Sequence, residues 1–149
     1  MLRRMTVTVG VVAVAGGLAF GGVVGARVAT KPMSEKQWRK TTNRICRQTE
    51  ALAGEASNQA FAGVGPDEQP SIEQLAAWVA LIEPVVQQRI DSIDALKEPT
   101  ALKKKVNKLL KTTRSELAAL VADPSRGLEG NPLSGAALAS NKLGLKDCA

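Results

Sequence analysis

Apolar or small residues recur every three or four positions along three stretches of this chain, and that spacing places side chains on one face of an α-helix. The three sets are Trp38, Thr42, Ile45, Thr49, Leu52 and Ala56, then Leu75, Val79, Ile82, Val86, Ile90 and Ile93, then Leu102, Val106, Leu109, Thr113, Leu117 and Leu120. No segment shows the sustained alternation of apolar and polar residues that indicates a β-strand. The pattern therefore predicts an all-α fold.

The predicted helices begin and end at residues with known preferences for helix termini. Ser34 and Ser71 are each followed three positions later by glutamine, which is the sequence pattern of a capping box. Glycine and proline interrupt the pattern after the first helix at residues 63–70, and Pro99 ends the second helix. A short fourth helix is expected at residues 134–143.

Three long helices joined by short loops pack most simply as an antiparallel three-helix bundle. We expect the short C-terminal helix to lie across this bundle, so that residues 31–149 form one helical domain. Pro84 lies inside the second helix and is expected to bend it, because its ring clashes with the preceding turn and its nitrogen cannot donate. Trp38 and Trp78 are the largest residues available to the core.

The N-terminal segment has the composition of a transmembrane helix. Met5 to Ala26 contains no charged residue and follows Arg3 and Arg4, and about 20 such residues span a bilayer as one helix. We interpret residues 1–30 as an uncleaved single-pass membrane anchor. A secretory signal peptide cleaved near Ala26 is the alternative, although its apolar core would be longer than the usual roughly 7 to 15 residues.

Small residues within the N-terminal segment favour a contact between two anchors. Gly17, Gly21 and Gly25 are spaced four apart and share one helix face, and small residues at this spacing let two transmembrane helices approach closely. A weak homodimer through this face is one hypothesis. The alternative is that the glycines reflect only the general abundance of glycine in membrane helices.

The orientation of the anchor does not follow from charge, because Lys and Arg flank both ends of the segment. The chain has two cysteines, Cys46 in the first helix and Cys148 near the C-terminus. Two cysteines near the ends of a small domain favour a disulfide in an oxidising compartment. We therefore predict a Cys46–Cys148 bond and a domain outside the cytoplasm; two free thiols are the alternative.

The composition excludes several classes of catalytic and metal chemistry. The chain contains no His and no Tyr, which excludes imidazole bases, histidine-ligated metals and phenol acids. It also lacks the G-x-S-x-G, C-x-x-C and phosphate-loop motifs, and two cysteines are too few for a structural zinc site. We expect a protein that is not an enzyme, with no cofactor, no metal and no catalytic residue.

Charge alternates between the predicted helices, from a basic first helix to an acidic second helix and a basic third helix. The basic residues of the third helix are Lys103, Lys104, Lys105, Lys108, Lys111 and Arg114. One interpretation is a surface that contacts anionic lipid. The other is pairing with Asp91, Asp94 and Glu98 of the second helix, or simple exposure to solvent. Nucleic acid is not expected as a partner, because no aromatic residue lies among the lysines and the domain is predicted to be extracytoplasmic.

Four features occur together in this chain. They are the N-terminal apolar segment, Ile45-Cys46 in the first helix, Pro84 with Leu96-Lys97-Glu98-Pro99 in and after the second helix, and the ending Leu143-Gly144-Leu145-Lys146-Asp147-Cys148. The combination resembles small exported or membrane-anchored helical proteins of unknown function from actinobacteria, with one Cys in the first helix of the domain and one at the C-terminus. The resemblance supports the helical fold and the pairing of the cysteines, and it implies no activity.

Two hypotheses of function follow from these observations. The first is a non-enzymatic interaction or scaffold module of the cell envelope, which binds an unknown envelope protein through the bundle surface. The second is a carrier or sensor for a small apolar ligand, held between the helices where Pro84 opens the packing. A large apolar cavity near Pro84 would favour the carrier, and a filled core would favour the scaffold.

Overall fold

A computed structural model describes residues 32–149, which contain four α-helices: α1 (Glu35–Ala60), α2 (Ile72–Asp94), α3 (Lys103–Ala122) and α4 (Ser134–Lys142). Short 3-10 turns cover Pro124–Leu128 and Lys146–Cys148. Residues 32–149 contain no strand. The all-α prediction is therefore confirmed for this part of the chain.

The predicted anchor, residues 1–30, lies outside the described residues, and so does the face formed by Gly17, Gly21 and Gly25. Within residues 32–149, no helix is both long enough and apolar enough to cross a membrane. The anchor, its orientation and the homodimer therefore stay predictions.

The apolar stripes of α2 and α3 form most of the core. Every member of the second and third sets is buried, as predicted. The first stripe differs at two positions: Ile45 is half-buried and Leu52 is exposed, whereas Cys46 is fully buried. Residues 45 and 46 lie on opposite flanks of one helix face. Because Cys46 is bonded to the C-terminus, its flank of α1 faces the core.

Serine side chains cap the starts of α1 and α2. Ser71 Oγ accepts a hydrogen bond from Gln74 N at 3.2 Å, and Ser71 N donates to Gln74 Oε1 at 2.8 Å, which completes the predicted capping box. Ser34 Oγ accepts from Gln37 N at 3.2 Å, without a return bond among the described residues. Each bond satisfies an amide that the first turn of a helix leaves without a partner.

Helix α2 continues through Pro84 without interruption. Pro84 is exposed, and so is Ala80, whose carbonyl loses its usual helical donor at this position. Solvent can satisfy that carbonyl, so the proline interrupts neither the helix nor the burial of the neighbouring core residues Ile82 and Val86.

The elements of the fold form a ring. Successive helices pack in an antiparallel manner, with α1 against α2, α2 against α3 and α3 against α4. The C-terminal turn Lys146–Cys148 contacts both α4 and α1. The backbones of α1 and α3 do not approach within 8 Å of each other. The C-terminal turn thereby completes the ring, and space is left between α1 and α3.

The two tryptophans lie in different parts of the core. Trp38 is fully buried within the main apolar cluster. Trp78 is half-buried, packs on a smaller cluster that includes Leu120, and donates its Nε1 hydrogen to Ser57 Oγ at 3.0 Å. The Trp78 contact joins the last turns of α1 to the first turns of α2.

Helix α4 receives its N-terminal cap from a neighbouring helix. The residue before it, Leu133, provides no side-chain hydrogen bond. Glu116 of α3 instead accepts from Gly135 N at 2.8 Å and from Ala136 N at 2.9 Å. This carboxylate satisfies two amides of the first turn and places negative charge at the positive end of the helix. A Cβ at position 135 would overlap Glu116 Oε1, so glycine lets the carboxylate approach the helix start this closely.

We predict that Glu116→Ala lowers the free energy of unfolding by about 1 to 2 kcal/mol, since it leaves two amides of α4 without an acceptor. Urea denaturation followed by circular dichroism measures the change. Glu55→Ala is the matched control, because Glu55 is exposed in α1 and forms no ion pair within residues 32–149. Equal unfolding midpoints for Glu116→Ala and the parent would contradict the capping role.

Candidate functional site

The C-terminal segment, residues 143–149, binds along one polar face of α1. Arg39 Nε donates to the Leu143 carbonyl at 2.8 Å. Asp147 N donates to Asn43 Oδ1 at 3.2 Å, and the Asp147 carboxylate pairs with Arg47 Nη1 at 2.6 Å. Residues 39, 43 and 47 are spaced four apart and therefore share one face of α1. This polar row lies beside the apolar stripe and positions the last residues of the chain.

Cys46 of α1 forms a disulfide with Cys148 of the C-terminal segment. Their Cα atoms lie 5.1 Å apart, and the bond joins positions separated by 102 residues. The predicted disulfide is confirmed, together with the return of the C-terminus to α1. Closing a loop of this size stabilises the folded state by about 4 to 5 kcal/mol if loss of chain entropy in the unfolded state is the main effect.

A central cavity of about 210 Å³ lies between the helices. Its wall includes Cys46 of α1, Ile90 of α2, Leu110 of α3, Ala136 of α4 and Cys148 of the C-terminal segment. All four helices and the disulfide therefore bound the same space. This is the space that remains because the backbones of α1 and α3 stay apart.

Arg89 forms the polar side of the central cavity and is the only basic residue of α2. Its Nε atom is buried and has no hydrogen-bond partner among the described residues. Burial lowers the pKa of the Arg89 guanidinium, and the nearby charge of Glu50 opposes that shift. Glu50 and the C-terminal residue Ala149 also line the cavity, but both are exposed to solvent. The cavity thus has a wall of mixed polar and apolar character that includes one partly buried cation.

The six basic residues predicted to contact anionic lipid are all exposed on α3: Lys103, Lys104, Lys105, Lys108, Lys111 and Arg114. Arg114 Nη2 pairs with Asp94 Oδ2 at 2.8 Å. None of the five lysines forms an ion pair within residues 32–149. The sequence also allowed these basic residues to pair with acidic residues of α2. Among the six, only Arg114 forms such a pair within residues 32–149.

The lysines of α3 project away from the core. Lys104, Lys108 and Lys111 share one face because they are spaced by four and three residues, and that face lies roughly opposite the buried residues Val106 and Leu109. We name the surface formed by Lys103, Lys104, Lys105, Lys108 and Lys111 the lysine face. It is a concentration of positive charge that is solvated rather than neutralised by the described part of the chain.

Pro84 does not line the central cavity, although the carrier hypothesis expects the ligand near this proline. The space beside it is an open groove of about 330 Å³ between α2 and α3, with Glu83 and Leu117 in its wall. Because α2 continues through Pro84 with its core stripe buried, the proline does not separate the helices there. The central cavity arises instead from the ring arrangement of the elements.

Arg89 is the cavity residue that the sequence pattern does not single out. A signal is nevertheless present, because Arg89 is the only basic residue of α2 and directly precedes the core residue Ile90. A long side chain at the edge of an apolar stripe either reaches solvent or lies against a neighbouring helix, and the packing of the helices decides which. Among the described residues, no group of three acidic or cysteine side chains is placed to bind a metal ion.

Comparisons of the chain with protein-family models, with curated proteins and with solved structures find no match. The resemblance to small exported helical proteins of actinobacteria therefore stays a prediction. Function has to be inferred from the disulfide, the lysine face and the central cavity.

We predict that Cys46→Ser and Cys148→Ser lower the free energy of unfolding of the oxidised protein by similar amounts, about 4 kcal/mol each. The double variant should lose little more than either single variant, because each substitution removes the same cross-link. Urea denaturation of the parent and the three variants measures the differences.

Reducing agent provides the control for this comparison, since it should bring the parent close to the three variants. Mass spectrometry of the non-reduced parent, exported from the cytoplasm of the expression host, counts its thiols directly. Two free thiols in that protein would contradict the disulfide.

Proposed function

We propose that this chain is a membrane-anchored, extracytoplasmic helical-bundle protein that acts without catalysis, as an interaction or scaffold module of the cell envelope. Residues 1–30 form the transmembrane helix in this proposal, and residues 31–149 form the antiparallel three-helix bundle with its short C-terminal helix. The Cys46–Cys148 disulfide supports the extracytoplasmic location, because structural disulfides persist mainly in oxidising compartments. An envelope protein of unknown identity is the proposed partner of the bundle surface.

The lysine face is the observation on which the interaction role rests. Its five lysines are exposed and form no ion pair with described residues, so no internal partner accounts for their clustering. Each lysine near an anionic bilayer contributes about 1 kcal/mol of attraction. A domain anchored to a membrane is already close to such a surface, and we therefore propose that the lysine face binds anionic head groups. Nucleic acid is not a proposed partner, because the domain lies outside the cytoplasm in this proposal.

The central cavity favours a second candidate function, a carrier or sensor for a small ligand. Residues of all four helices line the cavity, which is partly open to solvent, and its wall combines apolar side chains with polar groups. This candidate differs from the sequence-based hypothesis in its location, since the cavity lies beside Arg89 rather than Pro84. It also differs in chemistry, since an arginine faces the ligand space.

We predict that the full chain fractionates with membranes, resists extraction by alkaline carbonate and retains Met1 as its N-terminal residue. The physical reason is that the uncharged segment Met5–Ala26 is long enough to span the bilayer. Membrane fractionation and N-terminal sequencing are the measurements. A soluble product that begins at Arg27 would establish the cleaved signal peptide instead.

We predict that replacing Lys104, Lys108 and Lys111 by Gln weakens binding of residues 32–149 to vesicles that contain phosphatidylglycerol. Three charges near the surface contribute about 3 kcal/mol together, and added salt should weaken parent binding through screening. Cosedimentation with vesicles measures the bound fraction, and circular dichroism verifies that the fragment is folded.

The control variant removes three positive charges that lie outside the lysine face. Arg126, Lys142 and Lys146 are also exposed but lie outside the face, so their triple replacement by Gln should weaken binding much less. Equal losses in the two triple variants would indicate an effect of net charge alone. Absence of salt-dependent binding by the parent would contradict the lipid-binding role of the face.

A further inference from the structure

We infer that the central cavity binds a short-chain amphiphile with a carboxylate head group, with Arg89 as the residue that recognises the head group. This inference rests on the second candidate function, the carrier or sensor, and specifies the chemistry of its ligand. It does not depend on the lysine face, which lies on the outer side of α3.

The apolar wall and the volume of the cavity define the body of the ligand. Ile90, Ile93, Leu109, Leu110 and Leu133 form the apolar part of the wall, and this part favours contact with hydrocarbon over contact with water. An enclosed apolar cavity of about 150 Å³ binds benzene. The central cavity has a volume of about 210 Å³ and is partly open to solvent, and by proportion it accommodates about eight non-hydrogen atoms. A saturated chain of about five carbons with a carboxylate fits that limit.

Arg89 defines the head group of the ligand. Arg89 lines the cavity, and it forms no ion pair within 4.0 Å of any described carboxylate. Its Nε atom is buried and has no hydrogen-bond partner within residues 32–149. A guanidinium binds a carboxylate through two parallel hydrogen bonds. A carboxylate beside Arg89 would compensate the burial that lowers the pKa of its guanidinium.

One negative group competes for the same arginine. Glu50 lines the cavity, so the sign of the preferred ligand depends on which of the two charges dominates. Glu50 is exposed to solvent, where water and salt screen its charge, whereas Arg89 is partly buried. The less screened charge acts more strongly on a ligand inside the cavity. The expected order is therefore carboxylate first, then neutral ligand, then ammonium.

Hexanoate, hexanol and hexylammonium test this order, because each contains six carbons and only the head group differs. The sample is the full chain, in phosphatidylcholine nanodiscs if it is anchored and in its processed form if it is cleaved. Isothermal titration calorimetry measures affinity, with empty nanodiscs as the blank. We expect hexanoate to bind at least about tenfold more tightly than hexanol, the factor expected for hydrogen bonds to a charged group. Hexanoate should also shift the side-chain Nε–H resonance of Arg89 in a ¹H–¹⁵N spectrum.

Variants assign the effect to Arg89. Arg89→Leu should remove the preference for hexanoate over hexanol, and Arg89→Lys should retain only part of it, because lysine keeps the charge without the planar pair of donors. Arg126→Leu is the control for loss of one exposed arginine outside the cavity. Its hexanoate affinity should equal that of the parent.

A second substitution keeps the test decisive if the Arg89 variants do not fold. Ala137 is half-buried in α4 and lines the cavity, so Ala137→Phe should fill the space and abolish hexanoate binding while Arg89 remains. Circular dichroism reports whether this variant is folded. Unchanged hexanoate binding by folded Ala137→Phe would place the ligand elsewhere and overturn the inference.

The comparison of ligands separates failure of this inference from failure of the carrier function. Tight binding of hexanol with no advantage for hexanoate would retain a carrier but overturn the role of Arg89. Stronger binding of hexylammonium would show that the charge of Glu50 dominates the cavity, and would also overturn the inference. No binding of any of the three would contradict both the carrier and its proposed ligand.

Discussion

The bond between Cys46 and Cys148 returns the last residues of the chain to α1, and the closed arrangement of the helices depends on that return. The polar contacts of the C-terminal segment with α1 are partly exposed, and exposed ion pairs contribute only about 0 to 1 kcal/mol each. The covalent link is therefore the stronger constraint. It holds the segment as the closing element of the ring, with Leu145 of the segment fully buried.

The central cavity is a consequence of this ring and of the small side chains that face it. α1 and α3 are joined through α2 on one side and through α4 with the C-terminal turn on the other, without direct approach of their backbones. α4 contributes Ala136, Ala137 and Ser140 to the space between them, and none of these side chains is large enough to fill it. The chain is also poor in aromatic residues, which make up 3% of the sequence, and Trp38 is buried elsewhere in the core.

The same packing places the basic residues of α2 and α3 in two different environments. α3 directs its apolar stripe into the core and its lysines into solvent, whereas α2 places its only basic residue, Arg89, against the central cavity. The lysines retain their hydration, so they can meet a distant anionic surface through long-range attraction. Arg89 is partly desolvated, and it is the charge that the proposed ligand would contact directly. The described residues thus carry one exposed basic surface and one partly buried cation beside a partly open cavity.

The sequence by itself determined the helices, because helix formation depends on local spacing and on residues within one turn of each terminus. It predicted the buried stripes of α2 and α3, the capping box at Ser71 and the exposure of the lysines. It also predicted the disulfide, since a chain with two cysteines has only one possible internal pairing.

Only the tertiary structure decided how the helix faces are rotated and which distant residues meet. That rotation buries Cys46 and leaves Leu52 41% exposed, and it places Glu116 of α3 at the start of α4. The position of the cavity beside Arg89, rather than Pro84, follows from the closure of the whole ring. The reason is physical: helical periodicity is a property of neighbouring residues, whereas a cavity depends on the volumes and directions of side chains from every element around it.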